Sequence, residues 1–257
     1  DYEQSSQRFR NETAAMLLRE VRFDVIKGNI SEIAYLAEGI GTTKGVDANL
    51  DALSTEGNLR WHTDLARKVS TQTGAAIVIS GPIDIVADSH EAWAIRNGHP
   101  MMANITGTGC MSAGVIGCCV GADPQALLPS CVCAMSAMGI CGELAYEKLL
   151  SVDGGSGTYR VLLMDAMSKL DGATLTRRSK AEGCGSEAAQ SREARFVSRG
   201  EAQRKMCSLH AAVSFGLDRF LPSARLLIPN RRWDRPATPF GVKRLFLQGT
   251  LEQLGKD

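Results

Sequence analysis

The run Ala75-Ala76-Ile77-Val78-Ile79-Ser80 constrains this chain more than any other stretch. It is almost wholly apolar and rich in β-branched residues, with no alternation of polar and apolar positions. Such a strand can leave neither side to water, so it must be covered on both faces, as in a parallel sheet lying between helices. The flanking sequence supplies the helices. Glu12 to Val21 has helical periodicity, with Ala15, Leu17, Leu18 and Val21 apolar and Arg19 and Glu20 outward. Phe23-Asp24-Val25-Ile26 reads as a short strand ending at Lys27-Gly28-Asn29. A second helix follows, with Ile30, Ile33, Ala34, Leu36 and Ala37 on one side, closed by Gly39 and Gly41. Residues 42–57 read as a polar loop, and Leu59 to Thr73 as a third helix. Gly81-Pro82 turns the chain, and Ile83–Val86 with Ala92–Ile95 reads as a hairpin across Asp88-Ser89-His90. This order predicts an α/β domain built on a mainly parallel sheet.

Beyond Arg96 the chain becomes apolar. No Asp, Glu, Lys or Arg lies between Arg96 and Asp123, nor between Asp123 and Glu143. Met111 to Leu150 reads as two helices rich in Ala, Gly, Cys and Met, parted at Ala122-Asp123-Pro124. The first charge-free run contains Asn97, His99, Asn104, Thr106 and Thr108, and the second is broken by Pro129-Ser130. Neither offers the roughly 20 predominantly apolar residues that a membrane span needs, so buried helices are expected. Cys110, Cys118, Cys119, Cys131, Cys133 and Cys141 crowd into this region as small hydrophobes of a reducing compartment. Cys131-Val132-Cys133 lacks the spacer of a zinc or redox motif. The polar opening Asp1 to Glu12 is unlike a secretory signal, and a cytoplasmic protein is expected. Met101, Met102, Met135 and Met138 read as core filling, His99 as structural, and His62 and His90 as surface residues.

Gly154-Gly155-Ser156-Gly157 reads as a loop and Tyr159 to Leu170 as a last amphipathic helix. Residues 1–179 carry 15 basic and 20 acidic side chains, whereas residues 180–257 carry 14 and 8. This change of sign, from −5 to +6, marks two segments: a domain over 1–178 and a basic tail over 179–257, expected to be poorly ordered. Arg231-Arg232-Trp233-Asp234-Arg235 reads as part of a solvated tail rather than a nucleic-acid surface.

Chemistry is concentrated at Gly107-Thr108-Gly109-Cys110, just where a helix begins. Glycines let the backbone turn tightly and leave its amides uncovered. A helix N-terminus adds unpaired N–H donors and partial positive charge, which suit a phosphate or a developing anion. A thiol placed there is shifted toward thiolate and could take a proton from a substrate hydroxyl. Taken alone, the same four residues could equally be a glycine turn followed by a packed cysteine.

The wider pattern is more specific. Asn97-Gly98-His99-Pro100 followed by Thr106-Gly107-Thr108-Gly109-Cys110 resembles the signature of hydroxyethylthiazole kinases. Lys27-Gly28-Asn29-Ile30-Ser31-Glu32-Ile33, Lys44-Gly45-Val46-Asp47, Ser80-Gly81 with Asp84, and Leu162-Leu163-Met164-Asp165-Ala166 resemble that family in the same order. The likeness covers about residues 9–175. It implies a ribokinase-like three-layer α/β/α fold and transfer of the ATP γ-phosphate to the alcohol of 4-methyl-5-(2-hydroxyethyl)thiazole, a salvage step toward thiamine. It further implies Cys110 as the catalytic residue, Gly107 as a contact to the thiazole, and Lys27, Ser80, Thr108 and Gly109 as ATP contacts. Glu32, in Asn29-Ile30-Ser31-Glu32, would help hold Mg²⁺ and phosphate. Lys27 stands where many members have arginine, which keeps the charge and loses the bidentate fork. Asn104 stands where lysine is common.

Members of that family also carry an earlier region that Asp1 to Gln7 does not match. It holds early strands of the sheet, most of the thiazole pocket and an aspartate assisting Mg²⁺. Active sites in the family lie between subunits of a trimer, so a homotrimer is implied where the whole fold is present. Two alternatives stay open: a remnant that only binds nucleotide or partners, and a related kinase acting on a hydroxymethylpyrimidine.

Overall fold

A computed structural model describes residues 12–39 and 56–184. Five strands form one sheet in the order β1-β2-β3-β4-β5. A helix over residues 12–20 (α1) leads into β1 (Val25–Asn29), followed by α2 (Ile30–Gly39) and α3 (Leu59–Thr73). Then come β2 (Ala76–Ser80), β3 (Asp84–Ala87) and β4 (Ala92–Ile95). A short 3₁₀ turn (Pro100–Asn104) precedes α4 (Thr108–Ala122), α5 (Leu127–Leu149), α6 (Ser156–Lys169), α7 (Gly172–Arg178) and β5 (Ala181–Gly183).

Strand alternation sends successive side chains to opposite sides, and both sides of this sheet are covered. Val25, Ala76, Val78, Val86, Trp93 and Ile95 join one core with α4 to α7. Ile26, Ile77, Ile79, Ile85 and Ala87 join a second with α1 to α3. The unbroken apolar run at 76–79 is thus explained by two cores, one per face, and the architecture is the expected three-layer α/β/α. The basic segment read as a tail falls almost wholly outside the described residues, as does the loop at 42–55.

The sheet is mixed rather than mainly parallel. Only β1 and β2 run parallel, with Val25 opposite Ala76 and Asn29 opposite Ser80; the β2–β3, β3–β4 and β4–β5 pairings are antiparallel. The cause is loop length. A parallel neighbour requires a crossover, which α2 and α3 provide once, whereas the later links are short reversals. At the second of these, Asp88 Oδ1 accepts the His90 and Glu91 amides at 2.7 Å each and closes the hairpin.

Several boundaries differ from expectation. The first strand runs on through Lys27, Gly28 and Asn29, because pairing with β2 carries those residues into the sheet. α6 starts at Ser156 within the expected loop. α7 is an additional helix capped by Asp171, whose Oδ1 accepts the Thr174 amide at 2.7 Å. β5 has no apolar run and owes its state to pairing with β4, so the sheet extends past residue 178. His62 is buried rather than at the surface, enclosed on the inner side of α3 beside Trp61, while His90 is exposed. Met135 and Met138 are buried in the core. Among the described residues, α5 alone is long and apolar enough to cross a membrane, and 78% of its most apolar window is enclosed by the fold.

Candidate active site

Two parallel strands and β4 all end at one edge of the sheet, and β3 begins there with Asp84. Open α/β sheets bind ligands beyond such carboxyl ends. Alternation places Lys27, Ser80 and Asp84 on the same side as Val25, Val78 and Val86, the side covered by α4 and α5. Lys27 is 2% exposed. Its Nζ donates to Ser80 Oγ at 3.4 Å, and Ser80 Oγ donates to the Gly28 carbonyl at 3.4 Å. Both bonds are long and weak, so the lysine is poised rather than locked. Asp84 Oδ1 accepts the Gly81 amide at 2.9 Å. Burial pushes the Asp84 carboxyl up to about 7, against the opposing pull of that amide and of the Lys27 ammonium.

The start of α2 lies at the same edge. The Asn29 amide donates to Glu32 Oε2 at 2.7 Å, and the Glu32 amide donates to Asn29 Oδ1 at 2.9 Å. Gly28 is required beside them: a Cβ there would meet Glu32 Cβ and Oε2 at 3.0 Å. Glu32 Oε1 makes no hydrogen bond among the described residues, so one carboxylate oxygen serves the helix and the other remains for a ligand. A single carboxylate oxygen with water and phosphate oxygens fits the sparse protein ligation that Mg²⁺ accepts.

The glycine turn reaches this edge by another route. β4 ends at Ile95, and the following residues are pinned at once. Asn97 Nδ2 donates to Glu143 Oε1 (3.1 Å) and to the Arg178 carbonyl (2.9 Å), Asn97 Oδ1 accepts the Lys180 amide (2.7 Å), and the Gly98 amide donates to Glu143 Oε1 (3.1 Å). Gly139 of α5 lies against Asn97 so closely that a Cβ would sit 2.6 Å from its main chain. The middle of α5 is therefore at the sheet edge. Because α4 and α5 are joined by only residues 123–126, they run antiparallel, which returns the first turn of α4 toward that edge.

Gly107 begins α4 with φ +97° and no side-chain cap. The positive φ explains glycine at this position, since an L side chain would be strained there. The first intrahelical bond runs from the Met111 amide to the Gly107 carbonyl at 2.9 Å. Amides of the preceding turn, at Thr108, Gly109 and Cys110, thus lack helical acceptors. Cys110 is exposed and unbonded, while Cys119, Cys131, Cys133 and Cys141 are buried.

The structure brings Lys27 and Ser80 into contact and sets Glu32 at the same edge. Gly107, Thr108, Gly109 and Cys110 form the uncapped helix start on the same side of the sheet. His99 is structural: its Nδ1 accepts the Met101 amide at 3.1 Å, and its ring stacks on Tyr146 with centroids 3.5 Å apart. Sequence reasoning assigned no role to Asp84 or Glu143. Glu143, which closes the second charge-free run, was the available signal, because a lone acid deep in an apolar helix needs partners.

Residues 3–173 match the profile of the Hydroxyethylthiazole kinase family. The chain belongs to that family. Among curated proteins it is 51% identical over 177 residues to hydroxyethylthiazole kinase from Desulfovibrio desulfuricans, covering 66% of this chain and 62% of the relative. It is 43% identical over 175 residues to the enzyme of the same name from Clostridium acetobutylicum, covering 68% and 64%. The chain therefore spans rather less than two thirds of the curated family members it matches. Among solved structures, the hydroxyethylthiazole kinase protein of Pyrococcus horikoshii superposes with a TM-score of 0.55 at 23% identity, over 69% of this chain and 61% of that one. That similarity supports the ribokinase-like three-layer fold.

Proposed function

We propose that this chain carries the ATP-handling and catalytic half of a kinase that phosphorylates the alcohol of 4-methyl-5-(2-hydroxyethyl)thiazole, in the cytoplasm. The observation that carries the reading is the helix beginning at Gly107, uncapped and with an exposed cysteine in its first turn, on the side and edge of the sheet where Lys27 meets Ser80. Phosphoryl transfer asks a protein chiefly for positioning and for donors aimed at oxygens that gain charge. In this reading the amides of Thr108 and Gly109 and the Lys27 ammonium hold phosphate oxygens, Ser80 adds a hydroxyl, and Gly107 allows the thiazole to approach. Cys110 takes the proton from the substrate hydroxyl. Glu32 would hold Mg²⁺, which supplies charge neutralisation to the phosphates when bound. The family resemblance implies a trimer with sites between subunits, and assembly of this kind belongs to the same proposal.

The test is ATP- and Mg²⁺-dependent formation of the thiazole phosphate by the chain, compared with Cys110→Ala. Loss of a proton-transfer group should slow turnover on the order of 100-fold. Equal rates in the two proteins would remove Cys110 from its role, and faster transfer to a hydroxymethylpyrimidine would change the substrate.

A further inference from the structure

We infer that Asp84 is the positioning counterion of Lys27, its carboxylate holding the lysine ammonium at the sheet edge in readiness for a polyphosphate. The inference deepens the kinase reading and rests on its phosphate site. A cation as deeply enclosed as Lys27 is costly unless a carboxylate or several strong acceptors neutralise it. The Ser80 hydroxyl offers one neutral bond at 3.4 Å, which is too weak for that task. Strand register supplies what is missing. Lys27 pairs with Val78 in β2, and the pairing of Ile79 with Ile85 sets Asp84 opposite Ser80, so all three side chains leave the sheet on one side. The Asp84 and Lys27 charges interact at that position.

A simpler role for Asp84 is closure of the turn between β2 and β3 through the Gly81 amide. That bond needs only a carbonyl-type oxygen, which asparagine provides equally well. A carboxylate held there against its own desolvation is hard to explain by the turn alone, and a facing ammonium explains it. Asp84→Asn therefore separates the two roles: it keeps the turn and removes the counterion.

The experiment is calorimetric titration of the full chain at pH 8 with inorganic triphosphate and, separately, with adenosine. Asp84→Asn should weaken triphosphate binding about tenfold and leave adenosine unchanged, Asp84→Glu should restore part of the loss, and in a Lys27→Gln background Asp84→Asn should have no further effect. Unchanged or tighter triphosphate binding by Asp84→Asn overturns the inference, as does an equal loss in the Lys27→Gln background. If Asp84→Asn does not fold, Asp84→Glu carries the same comparison, since moving the carboxylate by one methylene should weaken triphosphate and spare adenosine. A parent chain that binds no triphosphate overturns it as well. Should these bindings behave as stated while no thiazole phosphate forms, the inference stands and the proposed reaction fails. Should the product form with Asp84→Asn binding triphosphate normally, the reverse holds.

Discussion

Asn29 and Glu32 cap each other: each donates its main-chain N–H to the other's side-chain oxygen, at 2.7 and 2.9 Å, across the junction of β1 and α2. This reciprocal arrangement satisfies two donors that a helix start otherwise leaves open. It also fixes the carboxylate proposed to serve the metal, so one residue carries a structural and a chemical duty.

Two substitutions pull those duties apart. Glu32→Ala should lower stability by about 1 kcal/mol through loss of the cap. Glu32→Gln retains an oxygen for the Asn29 amide and should melt close to the parent. Both should raise the Mg²⁺ concentration needed for half-maximal phosphate transfer. A Glu32→Gln protein with an unaltered Mg²⁺ requirement would show that the carboxylate serves the helix alone. Melting curves and Mg²⁺ titrations give the two readings.

Gly139 should tolerate no side chain. A Cβ placed there meets the main chain of Asn97 at 2.6 Å, and neither α5 nor the pinned loop can give way cheaply. Gly139→Ala should cost about 1–3 kcal/mol, the range typical of overpacking. It should also loosen the Asn97–Glu143 bonds, visible as faster amide exchange at Gly98 and Lys180. Gly114, where a Cβ meets nothing within 4 Å, is the control and should accept alanine without loss.

Asp84 gives stability a defined pH dependence. Its carboxyl titrates near 7 in the folded chain, well above its ordinary value of 3.8, mainly through burial. A group whose folded pKa is raised contributes stability that is present below the unfolded pKa and is lost as pH rises through the folded one. Between about pH 4 and pH 7 this contribution therefore declines. Asp84→Asn should flatten that part of the profile and melt higher than the parent above pH 7. Part of Asp84 is open to solvent, so the gain should be on the order of 1–2 kcal/mol rather than the full value the shift implies. Denaturant titrations between pH 4 and pH 8.5 measure it.

His62 acts in the opposite direction. It is enclosed, its Nδ1 finds no partner, and burial lowers its pKa below the usual 6.5. A depressed histidine contributes stability that is present above the unfolded pKa and lost as pH falls through the folded value. Acidification below about pH 6.5 should destabilise the chain, and His62→Leu should remove that loss. An unchanged acid limb in His62→Leu would transfer the effect to other groups.

Much of the fold was legible because burial leaves a mark on composition. The apolar run at 76–79 announced a sheet covered twice, and the charge-free stretches on either side of Asp123 announced enclosed helices. Strand direction was not written so plainly. A buried antiparallel strand such as β3 has the same apolar letters as a parallel one, and only the short links at 81–83 and 88–91 distinguish them. β5 was invisible because Ala181, Glu182 and Gly183 have no strand preference of their own. His62 misled because a polar letter on a largely polar helix reads as surface, although α3 turns that position inward.

At the site, glycines and a cysteine at a helix start were readable, since each has few other reasons to occur together. Asp84 was quoted for its likeness to a motif and given no task. Its relation to Lys27 depends on register across three strands, which no local pattern encodes.

The mixed sheet also bears on how the protein assembles itself. β2, β3 and β4 are joined by tight reversals, so they can zip together with little loop entropy to overcome. The pairing of β1 with β2 joins residues about fifty positions apart, as the Lys27–Ser80 bond does at a separation of 53. Distant closure of this kind is slow and is often the first to reopen. The lysine side of the phosphate site should therefore form late and breathe most, and nucleotide should act as a clasp that slows hydrogen exchange in β1 before it does so anywhere in the meander.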